Sequence, residues 1–568
     1  MSPEPQLPRA RRALAAFAIC LLLSVIHTWP LASAPATLSR NDNKDTVLNT
    51  WAITWVAHAL VTAPSRVLAG NIFHPERNTI AFSDPVIIPG ALSVPVRAAG
   101  AGPVLTYNLS LLLGYALSAW SMWWLAWRWT GRFWPALVAA SLYAFNAHSL
   151  VSMGHIQAIH AYGLPLLLVA LDALGDPQER RWWHGALAGV ATALLALTSG
   201  YLAIFGIVCG LIVLVVRLRG WLQPPWRPLV AGAVVGSVLL ALPVVPVMHA
   251  YREMQATHGF ERSLDLVAAM SANGAAYMAT PARVHEAWAR HVYQTREPRD
   301  SLFPGVAAVL LALAALGWRS PRAMDAAGRP ARAADGTDAV PAWRHPHVRI
   351  AMGLVAVGLV LSFGPATPVY RAFYHLVPFA SGVRAASRFG VLLLTGLAIL
   401  AAFGVAAMAR RWPQRAGVLA GLALVAVNVE AFRGPVPYVP AAPISSVYAV
   451  LATRPDGVVA EMPFWWRGID VPRNANYMLD STTHWKPLLN GYSGFTPESY
   501  RRRADVLWYF PFRSASFDEL DRAGVRYLVL HLAEYGSQRR EARDLIDASG
   551  RWRAIARDET TVLYERVP

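Results

Sequence analysis

The chain has 568 residues, of which 55% are hydrophobic and only 15% are charged. Soluble domains carry about 25% charged residues, so this composition excludes an ordinary soluble protein and indicates a membrane protein. The net charge of +17 does not indicate nucleic-acid binding, because the basic residues form short clusters between apolar segments. Cys20 and Cys209 both lie in apolar segments, so neither a disulfide framework nor a zinc site is predicted.

The N-terminal segment begins with basic residues and continues with an apolar stretch from Ala13 to Ala32. Its small-residue A-x-A-like end is compatible with a cleavable signal peptide. The stretch is long for a signal peptide, however, and matches the roughly 20 residues that a helix needs to cross a bilayer. We therefore predict a retained first transmembrane helix.

Apolar segments of this kind recur along the chain up to residue 432. They predict about eleven transmembrane helices, near residues 13–33, 104–127, 134–152, 161–174, 185–199, 201–217, 228–249, 303–318, 348–365, 390–409 and 416–432. With a cytoplasmic N-terminus, every predicted inner loop contains arginine, as the positive-inside rule requires. The odd number of helices then places the C-terminal part outside the bacterial cytoplasmic membrane.

The long loops are predicted on the outer side. The first, about residues 34–103, contains TWAITWVAHALVTA, whose apolar spacing predicts a helix lying in the membrane interface. A second long outer loop covers about 250–302. The predicted architecture is a transmembrane domain, residues 1–432, followed by a small extracytoplasmic α+β domain, residues 433–568, in which GVRYLVLHL and TTVLYERV have the pattern of strands.

The first outer loop begins with SRNDNKDTVLNTW, which contains the carboxylates of Asp42 and Asp45. A partly desolvated aspartate at the interface can act as a general base toward a hydroxyl, or can bind a divalent cation together with a phosphate. The other interpretation is a pair of solvated loop acids with Lys44 and Arg40 as neighbours. Spacing alone slightly favours the solvated pair.

Two further segments on the outer side contain ionisable side chains. NIFHPERNTIAFSDP adds His74, Glu76 and Asp84 to the first loop, where they could line a substrate cavity or only tie the loop down. GHIQAIHAYGLP places His155 and His160 at the outer end of the third helix. Their i,i+5 spacing does not suit two zinc ligands on one helical face. They either line a polar cavity or hydrogen-bond to backbone carbonyls.

The segment VRAASRFGVLLL places Arg384 and Arg388 on the outer side, against the positive-inside trend. Arginine is suited to bidentate binding of phosphate, so the phosphate of an anionic lipid is a natural ligand. The other interpretation is an ion pair with an acid of an outer loop.

The C-terminal part contains NYMLDSTTHWKPLLNGYSGFTPESY, which is dense in aromatic, amide and hydroxyl side chains. Residues such as His484 and Tyr492 recur where sugars are bound, but they also occur in loops packed on a membrane domain. The sequence contains no P-loop, dinucleotide fingerprint or G-x-S-x-G motif, so nucleotide-driven chemistry is not predicted.

The order of these segments resembles a known family. It runs through KDTVLNTWAITWVAHAL, NIFHPERNTIAFSDP, GHIQAIHAYGLPLLLVALD, ALTSGYLAIFG and RAASRFG. It is similar to the bacterial multi-pass proteins related to the GT-C glycosyltransferases, including YfhO-like, ArnT-like and dolichyl-phosphate-mannosyltransferase-like membrane enzymes. The resemblance covers most of the chain and is specific for the general layout of the group more than for one substrate.

The resemblance implies an integral membrane glycosyltransferase that takes a sugar from a polyprenyl-phosphate-linked donor. The acceptor would be a glycan, a lipid or a protein at the outer membrane face. The family's catalytic acid falls on Asp45, with Asp42 as the neighbouring candidate. Many GT-C enzymes have a second acidic element in a later outer loop, where this chain has His155 and His160. No set of metal ligands is therefore predicted, although a divalent cation, Mg²⁺ or Mn²⁺, stays an open alternative.

From these residues we expect Asp45 to take a proton from the acceptor hydroxyl, Arg388 and Arg384 to neutralise the leaving phosphate, and the reaction to proceed with inversion. The rival hypothesis is a non-catalytic protein for translocation or assembly of lipid-linked glycans. A transporter should show polar residues and broken helices near the bilayer midplane. Here the apolar segments are mostly free of polar residues at their centres, which favours chemistry at the membrane surface.

Overall fold

The computed structural model describes residues 8–40, 44–259, 262–292, 301–317, 319–320, 340–377 and 379–567. Asp42 and most of the inner linker around residues 320–347 lie outside these ranges. The chain is mostly helical, with 69% of its residues in helices.

The helices of the first 431 residues follow the apolar pattern of the sequence. In the described ranges they are α1 (Arg9–His27), α2 (Lys44–Thr62), α3 (Ile87–Ala98), α4 (Pro103–Thr130), α5 (Phe133–Ala144), α6 (Ala147–Val151), α7 (Ile156–Ile159), α8 (Gly163–Gly175), α9 (Trp182–Thr198), α10 (Gly200–Val216), α11 (Leu218–Trp221), α12 (Trp226–His258), α13 (Leu264–Ala269), α14 (Glu286–Val292), α15 (Val306–Ala314), α16 (Pro346–Ser362), α17 (Pro368–Leu376), α18 (Gly390–Arg411) and α19 (Ala416–Ala431). Each predicted apolar segment coincides with a helix, namely α1, α4, α5, α8, α9, α10, α12, α15, α16, α18 or α19.

Several of these helices match the dimensions of a bilayer. Among the described residues, five helical runs are long and apolar enough to cross a membrane: Arg9–His27, Pro103–Thr130, Ile156–Gly175, Trp226–His258 and Ala386–Arg411. Shorter apolar helices, including α5, α9, α10 and α16, pack around them. Together they indicate a multi-pass membrane protein.

Small residues allow the membrane helices to approach closely. A Cβ atom on Gly185 of α9 would lie 2.2 Å from the main chain of Gly232 in α12, and one on Gly189 would lie 2.1 Å from the Gly236 carbonyl oxygen. This is the packing that small residues permit between helices in lipid. The other side of α12 exposes apolar side chains such as Leu242, which is 71% exposed, as a surface that faces lipid would.

Helix α2, predicted to lie in the membrane interface, is largely enclosed by protein. Trp51 is 2% exposed, and its indole N–H donates to the Asn71 side chain at 3.1 Å. Trp55 and His58 contact the ring of Trp485 from the C-terminal segment, with centroid distances of 5.6 and 4.4 Å. The apolar residues of α2 are therefore covered by membrane helices on one side and by the C-terminal segment on the other.

The C-terminal segment, residues 433–567, contains a mixed four-stranded sheet flanked by helices. Its elements after residue 446 are α20 (Val447–Ala452), β5 (Val458–Met462), α21 (Asn474–Asp480), α22 (Glu498–Leu507), α23 (Ser514–Arg522), β6 (Val525–His531), α24 (Arg539–Ala548), β7 (Trp552–Arg557) and β8 (Thr561–Arg566). The sheet order is β5-β6-β8-β7, with β5 parallel to β6 and the other pairs antiparallel. The two segments predicted as strands form β6 and β8, in register at Val529 and Leu563.

Short two-residue pairs complete the strands in the described ranges. β1 (Leu38–Ser39) pairs with β4 (Val439–Pro440), and β2 (Arg319–Ser320) pairs with β3 (Val340–Pro341), both antiparallel. The first of these pairs joins the first outer loop to the start of the C-terminal segment.

A second connection between these two regions lies close to the cavity described below. The Phe73 N–H donates to the Asn490 carbonyl at 3.0 Å, and the His74 N–H donates to the Leu488 carbonyl at 2.8 Å. In the reverse direction, the Leu488 N–H donates to the Asn71 carbonyl at 2.7 Å. These strand-like bonds fix residues 488–494 against the first outer loop.

Candidate functional site

A cavity of about 700 Å³ lies between the first outer loop, α10, α12, the segment 379–388 and residues 492–494 of the C-terminal segment. We call it the outer cavity, after the predicted outer loop that lines it. Its polar lining includes Asp45, Asp84, His155, Gln157, Tyr201, Arg384, Arg388 and Tyr492. It therefore brings together acids and arginines that are hundreds of residues apart in the sequence.

The outer cavity has one apolar and one polar part. Ala203, Ile204 and Ile207 of α10 and Val247 and Met248 of α12 line the apolar part. These two helices belong to the membrane region, so this lining suits a hydrocarbon chain. Charged side chains also line the cavity, which therefore presents both apolar and charged surfaces.

Asp45 lies in the first turn of α2, where the partial positive charge of a helix N-terminus favours a carboxylate. Its Oδ1 accepts a hydrogen bond from the Tyr492 hydroxyl at 2.9 Å. Its Oδ2 lies 3.7 Å from Nε2 of His155, and the side chain is 33% exposed. The carboxylate is thus oriented by two neighbours and still accessible from the outer cavity.

Tyr492 reaches Asp45 because residues 488–494 are held in place on both sides. A Cβ atom on Gly491 would lie 2.7 Å from the ring of Phe73, so the loop can approach only with a glycine at this point. The Gly494 carbonyl accepts a hydrogen bond from the Arg262 side chain at 3.0 Å. Burial and the neighbouring Asp45 carboxylate raise the pKa of Tyr492, so its hydroxyl stays protonated as a donor.

The two predicted arginines also line the outer cavity. The guanidinium carbon of Arg388 lies 4.4 Å from the ring centroid of Tyr201, in cation–π distance. The backbone N–H groups of Arg384 and Ala385 both donate to the Tyr201 hydroxyl at 3.0 Å. Within the described ranges, neither guanidinium forms an ion pair with a carboxylate, so the ion-pair interpretation of these arginines finds no support there.

Comparison with known proteins gives matches to structures. No family model matches the sequence, and a search of curated proteins finds no match. Two states of the R1389S mutant of the arabinofuranosyltransferase AftD from Mycobacteria align over 98% and 99% of this chain, with TM-scores of 0.53 and 0.56 and 16% and 17% identity. The fold is that of the GT-C glycosyltransferases. This chain covers only 42% of the AftD chain in both alignments.

A further GT-C structure, ArnT from Cupriavidus metallidurans bound to undecaprenyl phosphate, aligns over 99% of both chains with a TM-score of 0.47 and 13% identity. The two AftD alignments confirm, for the fold, the resemblance to GT-C enzymes predicted from the segment order. Of the predicted site residues, Asp45, His155, Arg384, Arg388 and Tyr492 line one cavity of this GT-C fold.

Asp84, one of several acids in the first outer loop, also lines the outer cavity. Its carboxylate accepts hydrogen bonds from three donors. Oδ1 accepts from the Ser199 hydroxyl at 2.8 Å and from the Gly200 N–H at 2.9 Å. Oδ2 accepts from the Gln157 side chain at 3.1 Å. Asp84 therefore caps the start of α10, and it differs from Asp45 in having most of its hydrogen-bonding capacity in use.

A smaller cavity of about 50 Å³ lies behind His155 and Arg388, both of which also line it. His148 in its wall is 8% exposed, and its Nδ1 is buried without a hydrogen-bond partner. Sequence reasoning did not single out this histidine, although an ionisable residue within a predicted membrane segment is itself a functional signal. In the part of the chain that the structure describes, no three histidine, cysteine or acidic side chains are grouped to hold a metal ion.

Two of the predicted substrate-binding residues lie in the protein interior or at its internal contacts. His160 is 1% exposed, and its Nε2 lies 3.0 Å from the Ser110 carbonyl oxygen. Its ring packs so closely on α4 that a Cβ atom on Gly114 would lie 2.6 Å away. His74 forms main-chain bonds with the C-terminal segment, and its carbonyl accepts from Arg503 at 2.6 Å.

Two more predicted residues also lie away from the outer cavity. Glu76 accepts a hydrogen bond from the Ser499 hydroxyl and lies 3.7 Å from Nε2 of His258. His484 stacks on Tyr448, and its Nδ1 accepts from the Lys486 N–H at 3.0 Å. Burial lowers the pKa of His484 to about 3. None of His160, His74, Glu76 and His484 lines the outer cavity.

Proposed function

We propose that this chain is an integral membrane glycosyltransferase that transfers a sugar from a polyprenyl-phosphate-linked donor to an acceptor hydroxyl. The reaction would take place at the outer face of the bacterial cytoplasmic membrane. The single observation that supports it best is that Asp45 and Arg388 line the same cavity, which also extends between apolar surfaces of α10 and α12. A lipid-linked sugar phosphate has this distribution of apolar, anionic and hydroxyl groups.

The apolar part of the cavity would hold the isoprenoid chain of the donor. The phosphate would then lie at Arg388 and Arg384, whose guanidinium groups are free of carboxylate partners within the described ranges. Charge-assisted and bidentate hydrogen bonds make arginine a strong ligand for phosphate. The sugar would lie between these arginines and Asp45.

In the proposed reaction, Asp45 accepts the proton of the acceptor hydroxyl while the hydroxyl oxygen forms a bond to the anomeric carbon. The bond between this carbon and the phosphate oxygen breaks, and the polyprenyl phosphate leaves with the electron pair. A single displacement of this kind inverts the anomeric configuration. General-base catalysis typically contributes about 10²–10⁴-fold in rate.

The arginines would stabilise the negative charge that develops on the leaving phosphate. Preorganised positive groups at such a position often provide the largest single catalytic contribution. Asp45 and Asp84 both line the outer cavity, but the described residues offer no cluster of three metal ligands. We therefore propose no step that requires a divalent cation.

Substrate contacts in this proposal come from His155 and Tyr492 as well as from the arginines, since these side chains line the cavity. We propose supporting roles within the protein for His160, His74 and Glu76. His484 would likewise stabilise the C-terminal segment.

The experiment is a transfer assay on membranes with a labelled polyprenyl-phosphate-linked sugar, screening pentose and hexose donors. We expect Asp45→Asn to reduce transfer by about 10²–10⁴-fold, because the amide cannot accept the proton. Glu559→Gln, which changes an exposed acid of the C-terminal segment, should leave the rate unchanged. Transfer at the normal rate by a well-expressed Asp45→Asn variant would remove Asp45 from catalysis, and an acceptor product with retained configuration would exclude the single displacement.

A further inference from the structure

Tyr201 is the first residue of α10 with a large side chain, and it follows the Thr-Ser-Gly turn that joins α9 to α10. In a membrane helix, a tyrosine at this position is typical of the aromatic belt at the interface. Here its side chain instead lines both the outer cavity and the smaller cavity behind it. Both ends of the side chain contact the segment that carries the two arginines.

The hydroxyl end fixes the main chain of this segment. The N–H groups of Arg384 and Ala385 both donate to the Tyr201 oxygen at 3.0 Å. These two residues lie outside regular secondary structure, and Ala385 is 5% exposed. A buried N–H group without an acceptor costs free energy, so the hydroxyl determines where the main chain of Arg384 can lie.

The ring end faces the second arginine. The guanidinium carbon of Arg388 lies 4.4 Å from the ring centroid, which is an attractive cation–π contact. Tyr201 thus contacts the two predicted phosphate ligands by two independent interactions, one through oxygen and one through the ring.

The backbone of Tyr201 is itself held in place from the first outer loop. Asp84 accepts from the Ser199 hydroxyl at 2.8 Å and from the Gly200 N–H at 2.9 Å. The turn that precedes Tyr201 is therefore anchored to the first outer loop. This makes the tyrosine a rigid support rather than a mobile side chain.

We propose that Tyr201 is a positioning residue that holds Arg384 and Arg388 in the geometry for binding the phosphate of the donor. Its hydroxyl fixes the main chain at Arg384, and its ring orients the guanidinium of Arg388. The proposal rests on the proposed function in taking the two arginines as phosphate ligands. It adds a residue that acts through them.

The test measures binding of a short-chain polyprenyl phosphate to the purified full-length protein in lipid nanodiscs, with the matching polyprenol as the uncharged control. Arg388→Gln should weaken phosphate binding by about tenfold or more, because a charge-assisted contact is lost.

Tyr201→Phe keeps the ring and should weaken binding by about tenfold through loss of the two main-chain bonds. Tyr201→Leu should weaken it by about a further fivefold through loss of the ring contact. Tyr535→Phe, which removes a hydroxyl bonded to the Phe510 carbonyl in the C-terminal segment, should bind normally.

A double-variant comparison separates positioning from a general structural effect. The difference in affinity between Tyr201→Leu and Tyr201→Phe should disappear when Arg388 is already glutamine, because the ring then has no cation to orient. An equal difference in both backgrounds, or normal binding by both Tyr201 variants, would overturn the proposal. If Arg388→Gln itself binds the phosphate normally, the phosphate site of the proposed function is wrong, and this result is distinguishable from a failure at Tyr201 alone.

Discussion

The Asp45–His155 pair of the outer cavity and the Glu461–His531 pair of the C-terminal segment contain the same chemical groups in opposite surroundings. In the first, a carboxylate oxygen lies 3.7 Å from Nε2 of the histidine, and the acid side chain is 33% exposed. In the second, the distance is 2.8 Å and the acid side chain is fully buried. The Asp45–His155 pair is widely spaced and its acid is exposed, whereas the acid of the closer Glu461–His531 pair is buried.

The partners of the second pair show what it does. The Glu461 oxygen that faces His531 also accepts from the Tyr448 hydroxyl at 2.9 Å, and Tyr477 stacks on the His531 ring at a centroid distance of 4.6 Å. The Glu461 carboxylate is not exposed to a substrate, so the energy of the pair contributes to folding. An acid beside a histidine therefore does not identify a reactive site, and the exposure of the acid is what distinguishes the two pairs.

Removing the enclosed acid should therefore affect stability most strongly. We expect Glu461→Ala to destabilise the C-terminal segment by about 3–5 kcal/mol, because His531 and Tyr448 are left buried without their partner. Hydrogen exchange of the β5 and β6 amides in the full-length protein measures the effect. Asp45→Ala is the matched control and should leave exchange in both strands unchanged; equal protection in Glu461→Ala would show that the enclosed pair does not stabilise the sheet.

Asp480, the last residue of α21, interacts electrostatically with His531. Together these ionisable side chains should make the stability of the C-terminal segment depend on pH. Burial raises the pKa of Asp480 to about 7. For His531, burial lowers the pKa, but the hydrogen bond and charge of Glu461 outweigh it and raise the pKa overall. Both shifts mean that the folded state binds protons more tightly than the unfolded state, so stability is highest at low pH and falls as pH rises from about 4 toward 7 and above.

Asp480→Asn tests this dependence directly. Each unit of difference in the pKa of Asp480 between the folded and unfolded chain corresponds to about 1.4 kcal/mol. The variant should lose the part of the pH dependence that Asp480 causes and should be more stable than the wild-type protein at pH 8. The free energy of opening of β5, from hydrogen exchange at pH 5 to 8, gives the slope; identical slopes in both proteins would contradict the assignment.

The sequence was sufficient for elements that depend on local pattern and insufficient for contacts between distant segments. Apolar runs identified helices such as α4 and α18 because burial in lipid needs only continuous hydrophobicity. The bond between Asp45 and Tyr492 joins residues 447 positions apart, and nothing local indicates it. The enclosure of α2 was missed for the same reason, because its apolar spacing does not say whether lipid or protein covers it.

The same distinction between local sequence pattern and contacts of distant segments applies to the site residues. Arg388 stood out because a charge on the outer side contradicts the positive-inside trend, and the arginine does line the cavity. Tyr201 did not stand out, since a tyrosine at the end of an apolar run is an ordinary interfacial residue. His155 and His160 looked equivalent in the sequence, as two histidines at the outer end of one predicted helix. Only the three-dimensional structure shows that the ring of His160 packs against Gly114 in the interior.

Tyr492→Phe tests how far the orientation of the accessible acid, Asp45, matters for the reaction. The variant removes the hydroxyl that donates to Asp45 at 2.9 Å and keeps the ring that packs in the loop. We expect the rate at saturating donor to fall by about tenfold, because the carboxylate is less well oriented, with little change in donor KM. Tyr535→Phe is the control. A change confined to KM would instead assign Tyr492 to donor binding.

Asp84→Asn should have the smallest effect, although Asp84 lines the same cavity as Asp45. The remaining amide oxygen can still accept from the Ser199 hydroxyl and the Gly200 N–H, which are 2.8 and 2.9 Å from Oδ1. We therefore expect transfer to fall by about threefold or less, whereas Asp84→Ala, which removes all three bonds to the carboxylate, should reduce it by about tenfold. The ratio between the two variants distinguishes a cap on α10 from a catalytic acid. If Asp84→Asn is as inactive as Asp45→Asn, then Asp84 acts through its charge. In that case the number of hydrogen bonds to each carboxylate does not distinguish the catalytic acid from the other acid of the outer cavity.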